Sequence, residues 1–147
     1  MVLTQTEARA FYDRFGAKQD AQAFYEDPAI EALIARADFG EAQGVFECGC
    51  GTGRFAAELL SKHLASAATY VGTELSSTML GLARERLAPY GERVRLEYAT
   101  GKLQFSVADQ AVDRVGANFV LELLSFSFYR LSRRCSSNHL PDNRFLR

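Results

Sequence analysis

The residues best suited to chemistry lie in one short run, Val45-Phe46-Glu47-Cys48-Gly49-Cys50-Gly51-Thr52-Gly53. An acid and three alternating glycines stand between an apolar stretch and a helical pattern. Glycine permits positive φ and lets a ligand approach the backbone with no Cβ in the way. The helix that follows aims its unsatisfied N–H groups and its positive dipole end at the ligand. For an anionic or strongly polar group the dipole contributes about 0.3–1 kcal/mol. Spacing narrows the choice. The dinucleotide fingerprint G-x-G-x-x-G needs glycine where Arg54 stands, and no G-x-x-x-x-G-K-[ST] phosphate loop occurs. A second acid, Glu74, falls 21 residues after Gly53 at the end of another strand-like run. A carboxylate there can accept from two neighbouring donors of a ligand, with hydrogen bonds to a charged acceptor contributing on the order of 1.5–3 kcal/mol each. The only histidines are His63 and His139. No metal site is expected, because no four Cys/His stand at zinc spacing.

The elements that must position these residues alternate. Gly44–Cys48 reads as a strand running into the glycines, Arg54–His63 as a helix, Thr69–Glu74 as a second strand. Ser76 or Ser77 caps a helix with Met79, Leu80, Ala83 and Leu87 at helical spacing. Arg93–Tyr98 alternates as a third strand, Val112–Asn118 reads as a fourth, and residues 119–124 open a helix. Strands separated by helices of about ten residues imply parallel βαβ units. Ahead of them lie three helical pieces. The first follows a capping box, Thr4-Gln5-Thr6-Glu7, and runs toward Ala17, with Gly16 weakening or ending it. The second spans Asp20–Glu26 with Asp20 as N-cap, and the third opens with Pro28 in its first turn. The expected fold class is α/β, a Rossmann-like doubly wound parallel sheet of about four strands with an N-terminal helical segment. Residues 1–37 form that segment, 38–124 the binding core and 125–147 an atypical tail.

At 147 residues, 48 % hydrophobic and 24 % charged with net charge −1, the chain suits one globular core. The balance argues against nucleic-acid or membrane-surface binding, which needs a basic excess. Three cysteines, with Cys48 and Cys50 too close to bridge each other, fit free thiols in a reducing compartment. With no signal-like N-terminus and no long apolar run, the expected location is cytoplasmic.

The acid-x-G-x-G-x-G run, Glu74 and the βαβ order together resemble the class I S-adenosylmethionine-dependent methyltransferases. The likeness extends through Ser76-Ser77-Thr78-Met79-Leu80, through Val112-Asp113 with the helix after it, and through Phe11-Tyr12-Asp13, which resembles the family's aromatic-acid lid. It spans roughly residues 8–124. The resemblance implies S-adenosyl-L-methionine as cofactor, lined by Glu47, Gly49, Cys50, Gly51, Gly53, Glu74, Leu75 and Tyr12, with Glu74 on the ribose. Glu47 would approach the methionine end through backbone or water; the alternative is a strand-end carboxylate that orients the loop. Tyr12 and Phe15 are either lid or helix-packing aromatics, Asp113 a solvated strand-start residue, and Asn118 an acceptor-facing position. No catalytic residue is assigned. The implied reaction is in-line methyl transfer to a small-molecule acceptor, in which the protein contributes proximity and alignment.

Two departures stand out. The stretch Tyr98-Ala99-Thr100-Gly101-Lys102 has no acid where many members bind the adenine amino group. The family's sheet has seven strands in the order 3-2-1-4-5-7-6, whereas the likeness here stops after the fourth. Composition breaks at the same place. Residues 1–122 hold 12 Lys/Arg, 17 Asp/Glu and 21 Ala, while residues 123–147 hold five Arg, one Asp and no Ala. The expectation is a truncated chain with a frame-shifted tail. The alternative to an active enzyme is a non-catalytic S-adenosylmethionine-binding module or an inactive fragment. A nicotinamide-dependent oxidoreductase is disfavoured by Arg54.

Overall fold

Helix α1 (Gln5–Phe15) begins at the capping box. The Thr4 hydroxyl accepts from the Glu7 amide at 3.3 Å, and the Glu7 carboxylate accepts from the Thr4 amide at 2.8 Å. The computed structural model describes residues 4–100, 107–108 and 110–118. Gly16, at φ 50°, stops α1, and the chain tightens into a 3₁₀ stretch, Gly16–Gln22. Helix α2 (Ala23–Ile34) then runs straight through Pro28. The two expected pieces are therefore one helix, and Asp20 is not its cap. Its carboxylate is instead committed to a distant loop, described below.

Strand β1 (Gly44–Cys48) is buried at all five positions and lies between β2 (Thr69–Glu74) and β4 (Arg114–Gly116), with β3 (Val94–Tyr98) outside β2. All three pairings are parallel, in the order β3-β2-β1-β4. This is the 3-2-1-4 half of the expected sheet. Strand β4 is shorter than the Val112–Asn118 reading because Val112 makes only an isolated bridge. Asp113 is not a solvated strand start: its carboxylate accepts the amides of Gln43 (2.9 Å) and Gly44 (3.3 Å), tying the entries of β1 and β4 together.

After β1 the chain enters α3 (Arg54–Glu58), which widens into a π turn over Leu59–His63; α4 (Ser77–Leu87) follows β2. The main core packs Val45 and Tyr70 against Ala56, Leu59, Leu60, Ala83 and Leu87, with Phe39 and Ile34 at its edge. The opposite sheet face gathers Phe46, Cys48, Val107 and Val112 with Val71 and Val115. The described helices that reach the core all cover the first face. The expected helix at 119–124 and the tail lie outside the described residues, as does Gly101. Among the described residues no helix is long and apolar enough to cross a membrane.

Candidate functional site

Strands β1 and β2 end side by side, with Cys48 opposite Thr73, and the glycine run turns over their carboxyl ends. The Thr73 carbonyl accepts from the amides of both Gly49 (2.8 Å) and Cys50 (3.0 Å). Cys50 turns its side chain into the core, so only its backbone belongs to the loop. Gly51, at φ 55°, donates its N–H to Glu74 Oε2 at 2.9 Å. Glu74 Oε1 accepts from Leu75 and Ser76, each at 2.8 Å. The two features singled out 23 residues apart thus meet in one hydrogen bond. Glu74 is 7 % exposed, and burial holds its carboxyl above the usual range although three backbone amides pull the other way. A carboxylate has about four lone-pair sites, so three amides leave it able to accept further.

Gly53 also has a packing role. At φ 77°, its missing Cβ would stand 3.2 Å from both Ala83 and Leu87 of α4. It is the residue that lets the loop and α4 pack closely. Arg54 pairs with Glu26 (2.9 Å) and Asp27 of α2.

Glu47 is 2 % exposed and commits both carboxylate oxygens inside the sheet. Tyr70 on β2 donates its hydroxyl to Oε2, and Asn118, just past β4, donates Nδ2 to Oε1 at 2.9 Å. Burial raises the carboxyl to about 7, outweighing these two donors, which favour the charged form. The carboxylate therefore ties β1 to β2 and to the chain just past β4. Asn118 is turned by it toward β1.

The N-terminal segment is clasped over this end of the sheet. Asp13 of α1 accepts from the Ser76 hydroxyl at 2.6 Å and the Thr78 amide at 3.4 Å, while Ser76 caps α4 by accepting from Met79 at 3.1 Å. Asp20 accepts from the Thr52 hydroxyl at 2.6 Å and pairs with Arg86, which also donates to Thr52 Oγ1 at 2.7 Å. Burial alone would lift the Asp20 carboxyl, but the Arg86 and Thr52 bonds hold it below the usual range. Between these clasps the carboxamide oxygen of Gln19 lies 3.0 Å from where a Cβ on Gly51 would be. That oxygen is buried with no hydrogen-bond partner among the described residues. Sequence reasoning missed Gln19 and misread Asp20, since neither belongs to a motif. Tyr12 stands one residue before Asp13, half-buried and edge-on to Phe11 at 5.3 Å. On α1 and just beyond it, Phe11, Arg14, Phe15 and Lys18 line an open pocket of about 230 Å³. Among the described residues no group of three or more His, Cys, Asp or Glu is arranged to hold a metal ion.

Residues 45–138 match the profile of a methyltransferase domain. A trans-aconitate 2-methyltransferase of Variovorax paradoxus is 41 % identical over 102 residues, covering 67 % of this chain and 36 % of that protein. An S-adenosylmethionine-dependent methyltransferase from Thiobacillus denitrificans, solved with S-adenosyl-L-homocysteine, superposes with TM-score 0.59 at 15 % identity, over 73 % of this chain and 43 % of that one. The [4+2]-cyclase SpnF superposes with TM-score 0.61 at 16 % identity, over 78 % and 48 %. At such identities these structures share the fold. The chain spans little more than a third of the curated relative and under half of both structures. With the profile matched across most of the chain, beginning in the strand that carries the glycine turn, the chain belongs to the methyltransferase-domain family.

Proposed function

We propose that this chain is the cofactor-binding core of an S-adenosylmethionine-dependent methyltransferase acting on a small carboxylate-bearing acceptor. The observation that carries the reading is the Gly51–Glu74 hydrogen bond, which joins the glycine turn to a buried, pre-oriented acceptor at the ends of adjacent parallel strands. The residues fit the group. Glu74 keeps lone pairs for ribose hydroxyls, and the buried Gln19 oxygen beside Gly51, unpartnered among the described residues, lacks a donor that a polar ligand would bring. When bound, the cofactor supplies an activated methyl on a sulfonium. The protein's part is then to hold, align and shield, which accounts for about 7–11 kcal/mol in well-oriented systems. Glu74 and the loop backbone orient the nucleoside, and the clasped N-terminal segment excludes water from the loop. Gly49, Cys50 and Leu75 contribute backbone, Tyr12 a wall of the lid.

The acceptor class rests on the Variovorax relative, which is named for a tricarboxylate. The near-neutral charge supports a small molecule over nucleic acid, and the buried free thiols Cys48 and Cys50 support a cytoplasmic setting. Calorimetry with S-adenosylmethionine tests the reading. Wild type should bind, and Gly51→Val or Glu74→Ala should weaken binding by about tenfold or more, the scale of one lost charge-assisted hydrogen bond. Binding that neither substitution weakens would place the site elsewhere. The alternative is a module that binds the cofactor without turnover. Cofactor binding with no methyl transfer to any of a panel of di- and tricarboxylates would select it.

A further inference from the structure

Gln19 occupies a place that folding alone does not explain. Its carboxamide oxygen is buried, accepts no hydrogen bond among the described residues, and lies 3.0 Å from where a Cβ on Gly51 would stand. Buried polar groups are nearly always satisfied, so an orphan at a ligand site points to a donor that the ligand brings. The side chain is held there from both sides. Asp20, next in sequence, is fastened to Thr52 and Arg86, and Thr52 is next to Gly51. On the other side Gly16, which ends α1, lies 3.6 Å from Thr78 at its would-be Cβ, next to the Asp13–Ser76 bond. Gly51 therefore has a different acceptor on each side: its N–H is bonded to Glu74, and its Cβ direction meets Gln19.

We propose that Gln19 is a cofactor-binding residue, its carboxamide oxygen accepting from the α-ammonium of the amino-acid moiety of S-adenosylmethionine. This rests on the reading of the loop as that cofactor's site. The assignment follows from matching donors to acceptors. The ribose hydroxyls go to the carboxylate, Glu74, which has lone pairs to spare. Two donors remain, the adenine amino group and the ammonium. The charged ammonium makes the stronger bond and is assigned to the acceptor on the opposite side of Gly51. The ligand 5′-methylthioadenosine, which keeps the adenine, separates the two. The N-terminal segment then does more than cover the loop: it reads whether the ligand carries an amino acid.

The test compares two ligands, S-adenosylhomocysteine, which has the ammonium, and 5′-methylthioadenosine, which lacks the whole amino-acid part. Calorimetry is run on wild type, Gln19→Leu and Gln19→Glu. Gln19→Leu should lose about tenfold or more for S-adenosylhomocysteine and almost nothing for 5′-methylthioadenosine. Gln19→Glu keeps an acceptor and should bind S-adenosylhomocysteine at least as tightly as wild type. Thermal melting of the free protein should not fall in Gln19→Leu, because an unpaired buried oxygen is removed. Equal losses for both ligands, no loss for either, or a lowered melting temperature in Gln19→Leu would overturn the assignment. If wild type binds neither ligand, the cofactor reading itself fails and takes this inference with it.

Discussion

Replacing Glu47 by Gln isolates the consequence of burying an ionisable group in the central strand. In the folded chain the carboxyl titrates near pH 7, against 4.5 when unperturbed. Between those values the native state keeps a proton that the unfolded chain has released. Stability must therefore fall as pH rises from 4.5 to 7, and level off above. A gap from 4.5 to about 7 corresponds, at 1.36 kcal/mol per unit, to about 3 kcal/mol. Glutamine mimics the neutral acid. Its carbonyl accepts from Tyr70, and its amide faces Asn118, which can turn to present its own oxygen. The variant thus keeps these ties without the ionisation. Urea unfolding of both proteins from pH 4.5 to 8 gives the difference directly, with every other titrating group cancelling. The Glu47→Gln variant should gain about 3 kcal/mol on wild type across that range, a relative midpoint shift on the order of 1–3 M urea. Parallel stability curves would refute the reasoning, since the carboxyl would then titrate alike in both states.

Two further perturbations probe the loop and its clasp. Gly53→Ala forces a Cβ at φ 77° and within 3.2 Å of Ala83 and Leu87, so a loss of about 1–3 kcal/mol is expected in chemical unfolding. An unchanged midpoint would mean that α4 does not pack as described. Asp20→Ala removes the acceptor that fastens residues 16–22 to Thr52 and Arg86 and should cost about 1–3 kcal/mol while opening that stretch to limited proteolysis. Because the Asp20 carboxyl is held below its usual range, the same release should set in on acidification, as pH falls through its lowered value. Proteolysis at 16–22 that depends on neither the substitution nor pH would contradict the clasp.

The order of elements from β1 to β3 was legible in the chain because each signal is local. The Thr4–Glu7 box, the Ser76 cap and the strand bounds Gly44–Cys48 and Thr69–Glu74 all appear in the structure where their residues stand. Where reading failed, the local signal did not carry the residue's setting. Pro28 looked like a helix start and lies inside α2. Asp20 looked like a cap, yet its carboxylate is taken by groups 32 and 66 residues away.

By itself, then, the sequence determined the family, the parallel α/β pattern and the pair of features, glycine turn and Glu74, on which the proposed function rests. Periodicity, caps and glycine spacing act over a few residues and survive reading in one dimension. Only the tertiary structure decided what each polar group faces. It bonded Gly51 to Glu74, spent the Glu47 carboxylate on Tyr70 and Asn118, and left the Gln19 oxygen buried beside Gly51 without a donor among the described residues. Hydrogen-bond partners and desolvation depend on which strands and helices come together, so no local pattern carries them.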